Sequence, residues 1–353
     1  MATFTDRMKM ASHAPQYDSI YSDSDYRLKY HDAGGDKLLI TFTPRYGRDA
    51  DDRTGFGAGV FEKYGWSMLC VVAKWDHWWQ PSGIEEIVRI SNNIITVRNY
   101  RQIVTYGMSM GGFGAGLLAD RLGAKRAVMV APQFSIDPHT PPYERRWIKE
   151  AAKIEFMNND MDAALKGAAH RIIISDPWHP LDRVHTDLFK GYQTCQFVSV
   201  PFGGHSPADV LKEAKMLRKT IIELLDSSFD PKQFRLLLRK NRSLSPSYLA
   251  MMSDKIWRRH PSAAIFLLDK AIEMVPTRPT FMCRKVGLQV RMKDWPAALE
   301  TSKVGLKLFP NQHSLWKSYS EALTAVGEHD EAISAAISAQ EARPLGSGLI
   351  ASR

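Results

Sequence analysis

Short apolar runs, separated by longer mixed segments, organise the first 228 residues of the chain. Six runs, Lys37–Thr43, Ser67–Ala73, Gln102–Tyr106, Ala127–Ala131, Arg171–Ser175 and Gln196–Val200, are mostly apolar without polar alternation. That is the pattern of parallel strands covered on both faces. Between them, Gly83–Ile95, Gly111–Leu122 and Pro207–Leu225 read as helices. Strands alternating with helices predict an α/β fold, a mostly parallel sheet with helices on both faces. The stretch Asp226-Ser227-Ser228-Phe229-Asp230-Pro231 breaks the pattern. It separates an expected α/β domain over 1–228 from a second domain over 229–353.

In the second domain the pattern repeats. Pro276, Pro310 and Pro344 are spaced by 34 residues, as are Ala264, Ala298 and Ala332, and again Ala271, Gly305 and Ala339. Small residues let the two helices of a hairpin approach closely, and proline stops the second helix. Tyr248, Met282 and Trp316 share one phase of the same period as bulky anchors of the first helices, and Ser245-Pro246 supplies an N-cap and first-turn proline. These series resemble tetratricopeptide repeats over 245–278, 279–312 and 313–346, preceded by a linker helix and followed by a short tail, Leu345–Arg353. The resemblance implies an all-α repeat domain used for protein–protein interaction.

Composition narrows the class. Apolar residues make up 44% and charged residues 24% of 353 residues, the balance of a folded globular chain. Cys70, Cys195 and Cys283 are far apart with no CxxC pair, which argues against a disulfide framework or a cysteine metal site. No apolar run is long enough for a membrane span, and the polar start Met1–Arg7 has no apolar stretch of a signal peptide. The expected compartment is the cytoplasm. The net charge of +9 is unevenly placed: from residue 229 onward there are 19 Lys and Arg against 11 Asp and Glu, and before it 28 against 27. The first helices of the repeats carry Lys255, Arg258, Arg259, Arg284, Lys285, Arg291 and Lys317 against Asp254 and Glu321, so their concave face is expected to take a protein or an acidic peptide. No nucleic-acid motif accompanies the basic run Lys232–Arg242.

Chemistry concentrates in Gly107-Met108-Ser109-Met110-Gly111-Gly112, between a strand and a helix. A serine on so sharp a turn needs very small neighbours two residues away on either side. A serine hydroxyl also needs a base to attack at neutral pH. Downstream, Val198-Ser199-Val200 runs into Pro201-Phe202-Gly203-Gly204-His205, a strand, a glycine-rich turn and a histidine. The arrangement resembles the nucleophile elbow and base of the α/β-hydrolase family over residues 30–225. The resemblance implies Ser109 as nucleophile and His205 as base. It implies a carboxylate after the preceding strand, where Asp176 is preferred and Asp182 is the alternative. Oxyanion donors are implied at the N–H of Met110 and, in the loop Pro44-Arg45-Tyr46-Gly47, at Arg45 or Tyr46, since Pro44 has no N–H. The insertion 132–170 is implied to be a small cap over the site.

Lys74-Trp75-Asp76-His77-Trp78-Trp79-Gln80 follows the second strand at the edge where such a site opens. Trp75, Trp78 and Trp79 are candidates for substrate binding, by stacking on a sugar or lining an acyl pocket. No histidine or carboxylate grouping has metal-ligand spacing, so neither a metal nor a cofactor is expected. Together these features predict a serine hydrolase that cleaves an ester or related acyl bond through an acyl-enzyme, on a small-molecule or glycan ester. An acyltransferase using the same three residues, or a non-catalytic repeat scaffold carrying a degenerate hydrolase fold, are the alternatives.

Overall fold

A computed structural model of the chain describes residues 16–46 and 55–342; Gly47, Pro344 and the tail from Leu345 lie outside them. The described residues form two compact units. One extends to Leu238, and the other contains Glu213–Lys215 and everything from Arg239. The division falls inside the helix Pro231–Asn241, ten residues past the expected boundary at 228; Phe234 and Leu238 of that helix are buried.

The first unit is built on one eight-stranded sheet: β1 Asp18–Ser22, β2 Tyr26–His31, β3 Lys37–Phe42, β4 Trp66–Ala73, β5 Gln102–Met108, β6 Arg126–Val130, β7 His170–Ser175 and β8 Cys195–Ser199. The order across it is β1-β2-β4-β3-β5-β6-β7-β8. β1 pairs antiparallel with β2 and β2 with β4, and every pair from β4 to β8 is parallel. All eight residues of β4 are buried, the position of a mostly apolar strand covered on both faces. β1 and β2 are not evident in the residue pattern. They form a short hairpin in which only Tyr26 and Leu28 are fully buried, so the apolar signal is two residues long.

The covering helices are α1 Ile84–Arg98, α2 Met110–Leu117, two short helices α3 Ile148–Ala151 and α4 Met161–Leu165, then α5 Pro180–Phe189, α6 Pro207–Glu213 and α7 Leu217–Leu225. The helix expected over Pro207–Leu225 is thus two helices. Lys215 between them has φ 59°, a left-handed residue that ends the first and redirects the chain. The parallel strands deliver their following loops to one edge of the sheet, the carboxyl end where open α/β sheets bind ligands.

The second unit is helical: α8 Pro231–Asn241 leads into it, followed by the hairpins α9 Pro246–Ile256 with α10 Pro261–Met274, α11 Pro279–Arg291 with α12 Trp295–Leu308, and α13 His313–Val326 with α14 His329–Glu341. Ala264, Ala271, Ala298, Ala332 and Ala339 are all buried. A Cβ on Gly305 would lie 2.9 Å from Met282 Cγ and 3.1 Å from Leu315 Cδ1, so the 34-residue period marks where helices touch. Ser245 caps α9 by accepting the Tyr248 N–H at 3.0 Å. The basic face is more neutral than its lysine and arginine count. Asp254 pairs with both Arg284 and Arg291, and Lys285 lies 2.6 Å from Asp269. No helix among the described residues is long and apolar enough to cross a membrane.

Candidate active site

β5 ends at Met108 and the chain turns at once into α2. Ser109, at the turn, has φ 54° and ψ −120°, a strained backbone for a residue with a side chain. The neighbouring glycines make the turn feasible. A Cβ on Gly107 would sit 2.1 Å from the Gly111 carbonyl oxygen, and one on Gly111 would sit 2.2 Å from that of Phe42. Both clashes are with backbone and have no soft escape. Ser109 donates its own N–H to the Val130 carbonyl at 2.8 Å, which ties the elbow to β6.

His205 arrives from the loop after β8, where Phe202 and Gly204 both have positive φ. Its Nε2 lies 3.0 Å from Ser109 Oγ. The two side chains, 96 positions apart in sequence, meet at the carboxyl edge of the sheet.

The carboxylate on the imidazole is Asp182, which corrects the preference for Asp176. His205 Nδ1 is 2.8 Å from Asp182 Oδ2 and 3.0 Å from Oδ1. Asp182 sits in the first turn of α5, which starts with His179 as N-cap and Pro180, and a helix amino terminus favours a negative charge. Asp176 instead accepts two backbone N–H groups, from Trp178 at 2.9 Å and from Gly204 at 3.0 Å. It is the anchor of the loop that carries His205. Both aspartates are buried, so proximity to the strand end does not distinguish them.

Burial alone would push Asp182 towards protonation. The adjacent His179 ring, the hydrogen bond with His205 and the positive charge of Arg146 reverse this and hold its carboxyl well below the usual carboxylate range. Arg146 Nη1 lies 2.6 Å from Asp182 Oδ1, and its other nitrogens bind Glu144 at 2.6–2.8 Å. Glu144 also accepts from His185 Nε2 at 2.8 Å, while His185 Nδ1 accepts the Phe134 N–H at 3.0 Å. Burial of Glu144 is likewise outweighed by these donors, and its pKa falls to about 2. Burial pushes His185 down, in keeping with a neutral ring that donates only from Nε2. Glu144, Arg146 and Trp147 come from the segment between β6 and β7, so the insertion does approach the site. The Trp147 ring lies 5.7 Å from that of His205 and 4.3 Å from the Arg146 guanidinium.

Two of the three tryptophans proposed for substrate binding present no face to a ligand, and Trp75 is partly exposed. Trp78 and Trp79 are fully buried. Trp79 Nε1 donates to the Met110 carbonyl at 2.7 Å, Trp78 Nε1 to Gln133 Oε1 at 3.1 Å, and Trp75 Nε1 to Asp25 at 2.8 Å. Trp78 and Trp79 are consumed by packing and by hydrogen bonds to residues beside Ser109. His77 is buried too, accepting the Trp79 N–H at 3.0 Å. Trp178 is half exposed, and its ring stands 4.8 Å from that of Phe202 in the loop that carries His205.

Of the oxyanion candidates, Met110 opens α2, where first-turn N–H groups have no acceptor within the helix. Tyr46 gives its N–H to Asp76 Oδ1 at 3.0 Å, which commits that donor and leaves Arg45 as the candidate from this loop. The Arg45 guanidinium is 2.5 Å from Glu150. Gln133, assigned nothing by sequence reasoning, is fully buried with Nε2 3.2 Å from Ser109 Oγ. No group of three or more His, Cys, Asp or Glu among the described residues is arranged to hold a metal ion.

No protein-family model matches the chain, and no curated protein matches it in sequence. Among solved structures, the capsule O-acetyltransferase of Neisseria meningitidis serogroup A is 14% identical with a TM-score of 0.44, over 58% of this chain and 93% of its own. Est1E from Butyrivibrio proteoclasticus is 15% identical with a TM-score of 0.41, over 61% of this chain and 100% of its own. MamA from AMB-1 is 17% identical with a TM-score of 0.27, over 38% of this chain and 73% of its own. Function therefore rests on the site itself.

Proposed function

We propose that the first unit is a serine hydrolase of the α/β-hydrolase type, cleaving an ester or related acyl bond through an acyl-enzyme on Ser109. The observation that carries this reading is the unbroken chain from Ser109 Oγ to His205 Nε2 to Asp182, at 3.0 and 2.8 Å, on a backbone strained to φ 54° at the nucleophile. Strain of that kind at a serine is a cost, and a base aligned behind its hydroxyl is the return.

In this reading His205 takes the Oγ proton on Nε2 as Oγ bonds to the acyl carbon, and the carbonyl π pair moves onto oxygen. The oxyanion is held by the N–H of Met110 and by that of Arg45. When the intermediate collapses, the leaving alcohol takes the proton from Nε2. Water then enters with His205 again as base, which frees the acid and restores Ser109. Asp182 keeps the proton of the resting imidazole on Nδ1 and stabilises the imidazolium. The second unit, with its 34-residue period and paired helices, we read as tetratricopeptide-like and as the part that contacts other proteins.

The test is labelling with a fluorophosphonate, which forms a stable bond only with an activated serine. Wild-type protein is expected to label, and Ser109→Ala and His205→Ala to lose the label. An unlabelled, folded wild type would leave the repeats as the working part of the chain.

A further inference from the structure

A serine oxygen has one carbon, one proton and two lone pairs, and the surroundings of Ser109 Oγ use all but one of these directions. Its proton faces His205 Nε2 at 3.0 Å, because the Nδ1 hydrogen of that ring is taken up by Asp182. One lone pair accepts from Gln133 Nε2 at 3.2 Å. The assignment of the amide is forced. Trp78 Nε1 donates and does not accept, so the Gln133 atom 3.1 Å from it is the oxygen. The amide nitrogen must then face Ser109. Both Gln133 and Trp78 are fully buried, so water does not compete for either group.

We propose that Gln133 is a catalytic residue that aims the nucleophile, and that Trp78 is a positioning residue acting through it. The proposal rests on the acyl-enzyme reading above. With the proton directed to His205 and one lone pair held by Gln133, a single lone pair is left to attack, and its direction is set before substrate arrives. As the Oγ–H bond lengthens, negative charge grows on Oγ, and the Gln133 N–H bond to it strengthens until that charge passes through the new C–O bond to the carbonyl oxygen. No co-reactant is needed, and the proton ends on Nε2 as before. The elbow sets where Oγ stands and His205 faces its proton, and Gln133 is the further contact that fixes the lone pairs.

The experiment compares wild type, Gln133→Met, Gln133→Glu and Trp78→Phe for the second-order rate of fluorophosphonate labelling and for kcat and KM on a small acetate ester. Melting temperature is followed in parallel. Gln133→Met keeps the length without the donor and should slow labelling roughly 10- to 100-fold, the range for a hydrogen bond to a charged group. The loss should fall in kcat, with KM held within about twofold. Gln133→Glu, which offers an acceptor and a negative charge to Oγ, should be slower than Gln133→Met. Trp78→Phe frees the amide to flip and should lose roughly 3- to 10-fold in kcat. A folded Gln133→Met that labels at the wild-type rate overturns the proposal and leaves the hydrolase reading intact. If Gln133→Met does not fold, Trp78→Phe decides: unchanged kcat in a folded protein overturns it equally. An unlabelled wild type overturns both the proposal and the reading beneath it.

Discussion

The end of β7 and the first turn of α5 each bury an aspartate within a few residues of the other, and the two do different work. Asp176 and Asp182 are both 2% exposed. Among the described residues Asp176 accepts backbone N–H groups, from its own loop and from the residue before His205. Asp182 accepts from an imidazole and a guanidinium. Depth and distance from the strand are therefore poor guides to which carboxylate serves a base; the donors that converge on it decide. A strand-end aspartate is well placed to tie two loops together. A carboxylate in a helix first turn stands in a favourable field, and here an imidazole from a neighbouring loop reaches it.

The comparison breaks or holds most clearly on isosteric amides. Asp182→Asn keeps the shape but offers His205 no negative charge and invites the wrong tautomer. We expect kcat to fall roughly 10³- to 10⁴-fold, with a loss of stability as well, because Arg146 loses one of its two carboxylate partners. Asp176→Asn retains one acceptor oxygen and turns an NH2 group towards a backbone donor. Its expected signature is a stability loss of about 1–3 kcal/mol in denaturant titration with a far smaller loss of kcat, about tenfold, to the extent that the His205 loop loosens. If Asp176→Asn were the more damaging of the two to kcat at full stability, the assignment of roles would be inverted.

What the residue pattern made legible follows from where each signal is local. The parallel strands, the elbow glycines around Ser109 and the 34-residue period each depend on residues close in sequence, and each is matched by an element or a tight turn. His205 was legible because a glycine-rich turn after a strand is also local. The choice between Asp176 and Asp182 depends on contacts to Gly204, His205 and Arg146, none of which spacing reveals. The tryptophans misled for a related reason. A Trp-rich loop at the sheet edge reads as a platform until Gln133 and the Met110 carbonyl are seen to receive its indole N–H groups. Gln133 itself carries no sequence signal beyond lying just past β6. β1 and β2 were hidden because a half-covered edge hairpin offers too few apolar positions to stand out.

Trp178 lies between the two aspartates and tests whether the loop they bracket acts as one piece. Its N–H is bound to Asp176, and its ring packs edge-on to Phe202 in the histidine loop at 4.8 Å. Because the ring is half exposed, Trp178→Ala should cost about 0.5–1.5 kcal/mol of stability, the worth of one aromatic pair. The backbone bond to Asp176 survives the substitution, so the anchor stays in place and kcat on a small ester should change by no more than about threefold. A larger drop in kcat, without a matching loss of stability, would mean that the indole and not the aspartate holds His205 in register, and the division of labour drawn between the two carboxylates would have to be shared with the aromatic pair.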